Sequence, residues 1–536
     1  MNTRGDECLK LWTLDRRPAA VLLAVLVGLV AGCSGGAGSG NSPGDASSKA
    51  GQATAGAKPG GVLTMARPRE PDSLDPIVPT DNESIYTMLL IYDQLVRVAK
   101  DGKSVEAGLA ETWETSQDGK TFTFHLRQGV KFHNGDPVTV DDVIYSLNRV
   151  KSDKKSGWAD MYADIDTIVA KDAATLVITT KRPYVPMLAN LSMFAASIVP
   201  KKLGESGYDF NAKPVGSGPF VFDHWSKGTE IVLKKNPDYW QKGLPYLDEV
   251  RFLLVAEDNT RNLKLQAGEV DIAADVPFSS IAELKSNPDV TVKAEPLMRV
   301  DFITMNTTRK PFDDVKIRQA VNYAVDKDAL IQAVLFGNGK PANTFLPPML
   351  YHDDAAPGYK NDVAKAKELM TQSSQPNGFK TTLNIASGDS LQNQVAIIVK
   401  EQLAKIGIDV TIQQLESGVK RKAFRDLNYD LSYQLMTSDV IDPDELTMFG
   451  GASATRTFWT GYNNPKVDQL AKDGQAETDP AKRAQIYKEI QKILSDDAPY
   501  IYLYYVPAAN VTSKRVQNFT PLLTGNYRLE EVQLSK

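Results

Sequence analysis

LAETWETSQDGKTFTFHLRQGVKFHNGDPVTVDDVIYSLNRV, residues 109–150, contains the clearest local patterns in the chain. Residues 121–126 alternate polar and apolar side chains, which predicts a half-buried strand. Thr139 stands three residues before Asp142, the spacing of a capping box. Apolar residues then recur at 143, 144, 147 and 150, so a helix is predicted to begin after Thr139.

Strand-like and helix-like segments alternate on both sides of this stretch. Asp81 or Asn82 is predicted to cap a helix over 83–98, and one long helix is predicted from 313 to 334, stopping at Gly337. Further strands are predicted at 61–66, 175–180, 230–234, 250–255, 381–386, 409–414, 429–434 and 500–505. Further helices are predicted at 362–370, 391–406, 465–476 and 480–495. This alternation indicates α/β lobes with mainly parallel sheets.

Composition excludes several classes of protein. The chain has 536 residues, of which 42% are hydrophobic and 24% charged, values that are ordinary for a globular protein. A single core rarely exceeds roughly 250–300 residues, so two or three domains are expected. The net charge of −5 lacks the positive balance of a nucleic-acid binder, and no nucleic-acid partner is expected.

The first 60 residues are predicted to comprise a secretory signal peptide and a tether. An apolar run at 19–30 is too short for a membrane-spanning helix, which needs about 20 residues, and it suits a signal peptide over 1–32. Cys33 follows Ala31 and Gly32, as in a bacterial lipobox, and is predicted to carry lipid. The alternative is an ordinary signal cut nearby, which leaves a free thiol. Residues 33–60 are predicted to form a flexible tether rich in small residues.

Catalytic and metal-binding patterns are missing from the sequence. The four histidines, at 125, 133, 224 and 352, have no metal-ligand spacing, and residues 97–104 lack the first glycine of a phosphate loop. Gly216-Ser217-Gly218 is not a nucleophile elbow. No enzyme activity, cofactor or metal is therefore expected.

Five ordered motifs resemble family 5 extracellular solute-binding proteins, the oligopeptide, dipeptide and nickel receptors of ABC importers. Residues 109–150 carry the longest of them. The others are PDSLDP at 71–76, VGSGPF at 215–220, RQAVNYAVDK at 318–327 and YNNPKVD at 462–468. The likeness runs in order from about residue 61 to residue 505.

This resemblance implies a type II periplasmic-binding-protein fold, in which two lobes close on a central cleft and one lobe carries an extra inserted subdomain. Domain Ia would comprise 61–99, 215–305 and 500–536, domain Ib 100–214, and domain II 306–499. The hinge would lie near 300–306 and 498–506. Ligand would bind between Ia and II, and closure requires that the ligand stabilise the closed state more than the open one.

Asp439 is the residue that the resemblance singles out. In peptide-binding relatives, an Asp three residues before an Asp/Glu-Pro pair holds the peptide's ammonium group, and Asp439 precedes Asp442-Pro443 in this way. The alternative is a turn or capping residue, and Asp442 is expected to be structural. Met436 stands where relatives often place a Trp against the peptide. Further candidates for the pocket are Arg456, as a carboxylate-binding residue, Phe458 and Trp459, with Trp459 also a possible platform for sugar stacking.

The resemblance implies further ligand contacts in domain Ia. Asn82, Glu83 and Ser84 fall where relatives present polar groups to the ligand, although Asn82 or Ser84 could simply cap the helix. Ser217, in its glycine-rich turn, is the other candidate.

The expected protein is an extracytoplasmic, lipid-anchored monomer on the bacterial cell membrane. It would capture a small peptide or amine-bearing solute and deliver it to ABC permease subunits. The alternatives are an oligosaccharide or nickel–chelate receptor on the same scaffold, a secreted hydrolase, or a sensory receptor.

Overall fold

The computed structural model describes residues 57–79, 81–356, 358–453 and 460–535. Three sheets of four or more strands organise this part of the chain. The helices are Asn82–Ile91, Val140–Ser152, Met187–Asn190, Lys201–Glu205, Asp258–Gln266, Ile281–Ser286, Val315–Ala324, Lys327–Leu335, Val363–Thr371, Ser390–Ala404, Ser417–Arg425, Pro443–Gly450, Pro465–Ala476 and Pro480–Asp497.

A seven-stranded sheet forms the first lobe. In spatial order its strands are Val290–Lys293, Asn510–Ser513, Ile272–Ala273, Val62–Arg67, Glu249–Leu254, Glu230–Lys235 and Phe220–Ser226. Two small ladders accompany it, formed by Val96–Val98 with Val105–Ala107 and by Ala57–Lys58, Gln533–Ser535 and Val516–Gln517.

A four-stranded antiparallel sheet is inserted into the first lobe. Its strands, in spatial order, are Ala110–Thr115, Thr121–Leu126, Thr175–Thr180 and Ile165–Ala170. The capping box predicted at Thr139 is present, with both reciprocal hydrogen bonds between Thr139 and Asp142. One continuous apolar cluster joins this sheet to the seven-stranded one, since Phe124 and Leu147 share it with Leu63 and Val250.

A six-stranded sheet forms the second lobe and carries apolar clusters on both faces. Its strands, in spatial order, are Lys340–Pro341, Tyr500–Tyr505, Arg299–Met305, Leu431–Thr437, Phe379–Ala386 and Ile408–Leu415. Helices cover both faces, which gives the layered α/β arrangement that the sequence predicts.

The prediction of mainly parallel sheets is wrong. Parallel pairing occurs where a helix connects neighbouring strands, as in Phe379–Ala386 with Ile408–Leu415 across the helix Ser390–Ala404, and beside Val62–Arg67. The remaining ladders of the three sheets are antiparallel, because hairpins and long returns through the other lobe bring the strands together in opposite directions.

Two predicted helices also differ from the structure. The first begins after Asp81, whose side chain accepts from the Ser84 amide, but it ends at Ile91 because residues 96–98 pair as a strand instead. The long helix predicted over 313–334 is two helices. Asp326 interrupts it, because its backbone is extended and its carboxylate caps the second helix at the Ala329 amide.

The chain crosses between the lobes at 294–298 and at 506–509. These segments connect the strands Val290–Lys293 and Asn510–Ser513 of the first lobe to Arg299–Met305 and Tyr500–Tyr505 of the second. The Ala508 amide donates to the Glu295 carbonyl at 2.8 Å, so the two crossings are hydrogen-bonded to each other. Across 57–79, 81–356, 358–453 and 460–535, no helix has the length and apolar character needed to cross a membrane.

Candidate functional site

Charged side chains of the first lobe follow strands that end at one edge of its sheet. The strands Val62–Arg67, Glu249–Leu254 and Ile272–Ala273 run parallel, and the carboxyl ends of parallel strands are the usual place for a ligand. Arg69 and Asp275 lie just beyond this edge. Arg69 pairs with Glu83 at 3.0 Å and with Asp275 at 3.7 Å.

The second lobe presents charged side chains to the same space. Arg299 begins its strand opposite Thr437, the last residue of the neighbouring strand, and binds the buried Asp301 carboxylate at 2.7 and 2.9 Å. Glu83 raises the pKa of Arg69, and Asp389 of the second lobe adds to this effect. We call the space bounded by Arg69, Glu83, Asp275, Arg299 and Asp439 the cleft.

Asp439 follows the strand Leu431–Thr437 and forms a carboxyl pair with Glu445. The Glu445 side chain is 1% exposed and accepts from the Asp439 amide at 2.8 Å and from the Ser438 hydroxyl at 3.1 Å. The two carboxyl groups lie within hydrogen-bonding reach of each other. Burial, and then the charge of Glu445, raise the pKa of Asp439.

Asp439 lies where the two lobes and the inserted subdomain meet. Burial raises the pKa of Tyr86, from the first lobe, and the charges of Asp439, Asp275 and Glu83 raise it further. Burial, Glu445 and Asp439 act in the same way on the pKa of Tyr162, from the inserted subdomain. Asp439 is half-buried, so it is enclosed by protein and still accessible from the cleft.

Asp442 has the structural role expected of it. One carboxylate oxygen accepts from the Asp444 amide and caps the helix Pro443–Gly450. Both oxygens also accept from Arg483, each at 2.7 Å, and both side chains are less than a tenth exposed. This ion pair anchors the loop that carries Asp439.

The inserted subdomain and the second lobe are in direct contact. Arg182 donates to the Lys472 carbonyl at 2.6 Å, and the Val185 amide donates to the Gln475 carbonyl at 2.8 Å. Arg421 of the second lobe pairs with Asp72 of the first lobe at 2.7 Å. Polar contacts therefore join the second lobe both to the first lobe and to the inserted subdomain.

Three residues of the first helix were predicted to contact the ligand, and the structure places one of them, Glu83, at the cleft. Glu83 pairs with Arg69 and acts on Tyr86. Asn82 is the half-buried first residue of the helix. Ser84 does not fit the prediction, because it is 0% exposed and its hydroxyl donates to Asp81 and accepts from the amides of residues 72 and 73.

Ser217 is a structural residue, contrary to the prediction. It is 1% exposed and donates to Asp93 at 2.9 Å. Its flanking glycines allow the turn to approach the Ile91 carbonyl, since a Cβ at Gly216 would lie 2.2 Å from that oxygen. Space for the backbone explains this motif better than a ligand contact.

Met436 lies in the core of the second lobe. It is 8% exposed and belongs to the apolar cluster of Val300 and Phe302, so the side chain supports the sheet under the Asp439 loop. Arg456, Phe458, Trp459 and the lipidation site Cys33 lie outside the described residues, and their predicted roles stay predictions.

Sequence reasoning missed most of the charged lining of the cleft. Glu445, Asp275 and Arg299 were not singled out. Lys420 was missed as well: it donates to the Tyr433 carbonyl at 2.6 Å, and burial lowers its pKa to about 8. Glu445 could have been found, because it occupies the first turn of the helix that begins at Pro443. Asp275 and Arg299 lie beside strand ends and Lys420 lies in the helix Ser417–Arg425, and only the topology of the chain brings these elements together.

The arrangement has the charged groups with which a charged solute can be bound. The cleft offers acceptors at Glu83, Asp275 and Asp439 and guanidinium donors at Arg69 and Arg299. Among the residues that the structure describes, no group of three His, Cys, Asp or Glu side chains could hold a metal ion. Two α/β lobes joined by two crossings around a polar cleft define a solute receptor with the type II periplasmic-binding-protein fold.

The chain belongs to the bacterial extracellular solute-binding proteins, family 5, the binding components of ABC importers. The model of the middle region of that family matches residues 104–457. The glutathione-binding protein GsiB of Pectobacterium atrosepticum is 32% identical over 475 residues, which cover 87% of this chain and 92% of that protein. The family is extracytoplasmic, and its members are binding proteins and not enzymes.

Two solved structures show the same fold. DppA of Helicobacter pylori, an ABC transporter-associated periplasmic binding protein in complex with the peptide STSA, has a TM-score of 0.82 and 30% identity over 89% of this chain and 99% of its own. AgaA of A. tumefaciens R10, in complex with agropinic acid, has a TM-score of 0.83 and 32% identity over the same shares.

Proposed function

We propose that this protein captures a small peptide or other amine-bearing solute in the cleft and delivers it unchanged to an ABC permease. The observation that carries the proposal is Asp439, a half-buried carboxyl at the junction of both lobes and the inserted subdomain. Within the described residues it has no ion-pair partner. A buried carboxylate needs such a partner, and a ligand's ammonium group would supply it.

The remaining cleft charges support a ligand with both an ammonium and an acidic group. Arg69 and Arg299 lie on opposite sides of the cleft and are already paired with carboxylates. Their spare donors could orient a ligand carboxylate, since guanidinium binds carboxylate in a fixed fork geometry. GsiB and DppA, whose names and complexes point to glutathione and a peptide, are consistent with this class.

A panel of purified solutes tests this function. Glutathione, the dipeptide Met-Leu and a tetrapeptide would be compared with maltose and a nickel–histidine chelate by thermal shift and calorimetry. We expect one-to-one stabilisation by at least one amine-bearing acid, and recovery of that ligand chemically unchanged. Binding of the sugar or chelate alone, or turnover of the ligand, would contradict the proposal.

The hinge is proposed to lie at the two crossings, 294–298 and 506–509. The proposed boundaries of domain Ia move from residues 305 and 500 to these crossings. The reason is that the strands Arg299–Met305 and Tyr500–Tyr505 pair within the six-stranded sheet of the second lobe. Closure would then rotate one sheet against the other without breaking either ladder.

Attachment of the chain to the membrane through lipid on Cys33 is proposed from the sequence. Replacing this residue, Cys33→Ala, removes the thiol that would be acylated and should shift the protein from the membrane fraction to the soluble one in a bacterial host. Fractionation followed by immunoblotting measures this shift, with the equally small change Ser34→Ala as the control. Incorporation of a labelled fatty acid into Cys33→Ala to the same extent as into the control would exclude lipid on Cys33.

A further inference from the structure

The pair formed by Asp439 and Glu445 has too few positive partners for two negative charges. Both groups lie at the buried end of the cleft, and within the described residues neither takes part in an ion pair. Two carboxylates within hydrogen-bonding reach cannot both ionise at low cost. A hydrogen bond between them also requires a proton, because an ionised carboxylate is an acceptor only.

The surroundings decide which carboxyl group holds the proton. Burial raises the pKa of Glu445 to about 7, while hydrogen bonds from the Ser438 hydroxyl and from the amide of Asp439 favour its ionised form. Within the described residues, Glu445 is the one group that hydrogen-bonds the Asp439 carboxyl group, and burial raises the pKa of Asp439. Asp439 is therefore the protonated member, donating to ionised Glu445.

The other titratable groups that face the pair do not offset its charge. Tyr86 comes from the helix Asn82–Ile91 and Tyr162 from the inserted subdomain, and burial raises the pKa of both phenols, so they remain neutral. Asp275 and Glu83 act on the same Tyr86 and add negative charge to the surroundings. The pair with one proton has a net charge of −1.

We infer that Asp439 and Glu445 share one proton in the ligand-free protein, and that a ligand's ammonium group replaces this proton when it binds. The Asp439 O–H bond breaks, the proton leaves to solvent, and the ammonium group takes its place against the Asp439 carboxylate. The net charge of the site is −1 before and after, since one positive charge replaces another. This inference deepens the proposed function and rests on it for the identity of the displacing group.

Affinity for an amine-bearing ligand should then rise with pH. Below the pKa of Asp439 each binding event must release a proton, so the dissociation constant should fall by up to about tenfold for each pH unit. The dependence should level off once the free protein has lost the proton. Glu445 acts through Asp439 and is a positioning residue, not a group that touches the ligand.

The first test needs no ligand. Infrared spectroscopy of the free protein at about pH 8, above the ordinary range of carboxyl pKa values and above the value of about 7 for Glu445, should show the C=O stretch of a neutral carboxylic acid that is lost in Asp439→Asn. In Glu445→Gln the same band should titrate at lower pH, because the neighbouring negative charge is gone. Absence of any band assigned to Asp439 would overturn the inference, whatever the ligand.

The second test uses glutathione and Met-Leu as probes. Calorimetry in buffers of different ionisation enthalpy should report release of close to one proton per ligand in the wild type and a smaller number in Glu445→Gln. The exposed residue change Glu368→Gln is the matched control and should behave as the wild type does. Tight binding without proton release would overturn the inference, while failure of every amine-bearing ligand to bind, with the infrared band present, would count against the proposed function alone.

Discussion

Replacement of Asp439 by Asn should abolish most of the affinity for an amine-bearing ligand. Truncating one partner of a buried charge pair costs about 2–5 kcal/mol, which is roughly 30-fold to several thousand-fold in the dissociation constant. Asn keeps the shape of the side chain but cannot offer a negative charge to the ammonium group. Calorimetry with a ligand that stabilises the wild type measures the loss.

The same variant should not destabilise the ligand-free protein. Asp439→Asn replaces a protonated carboxyl by a neutral amide, so the midpoint of denaturant unfolding should stay the same or rise slightly. Asp426→Asn, an exposed change on the same lobe, serves as the control and should leave affinity unchanged. Unchanged affinity in Asp439→Asn would remove this residue from the site, and loss of affinity accompanied by unfolding would point to a structural role.

Replacement of Arg483 by Met should lower the free energy of unfolding more than any other single substitution proposed as a test. Arg483 is 4% exposed, binds both oxygens of Asp442 and also donates to the Gly474 carbonyl at 2.7 Å. Its removal leaves the Asp442 carboxylate buried without a cation, which costs about 3–5 kcal/mol. Chemical denaturation should show this as a lower midpoint with little change in slope.

A second substitution separates the charge effect from the loss of packing. In Asp442→Asn with Arg483→Met, no unpaired charge remains and Asn can still cap the helix Pro443–Gly450, so much of the stability should return. Lys365→Met breaks an exposed pair with Glu368 and should cost less than about 1 kcal/mol. A double variant no more stable than Arg483→Met would show that the packing of Arg483, and not its charge, stabilises the loop.

The local part of the fold could be predicted from the sequence because it depends on neighbouring residues. The capping box at Thr139 and the strand Tyr500–Tyr505 are where periodicity and side-chain chemistry place them. The direction of the strands could not be predicted in this way. Strand Asn510–Ser513 pairs with Val290–Lys293 only because the chain returns from the second lobe, and no local pattern records that return.

The candidate site also has a part that local sequence predicts and a part that depends on the long-range fold. Asp439 could be singled out because it belongs to a short motif with Asp442 and Pro443. Arg69, Asp275 and Arg299 are separated by more than 200 residues of sequence in total and converge only when the two sheets meet. Ser217 and Ser84 were wrongly predicted as ligand contacts. The hydroxyl of a small polar residue in a turn or a first helical turn can bind a ligand or another part of the protein, and the sequence alone does not distinguish the two.

If the cleft holds an amine-bearing solute, some of that solute should remain bound through purification. Native mass spectrometry of the full chain, purified without refolding from a bacterial host and then denatured to release what it carries, detects it. We expect one small solute per protein, bearing a primary or secondary amine and chemically intact, in the wild type but not in Asp439→Asn. A solute without an amine, or equal occupancy in both proteins, would contradict this expectation.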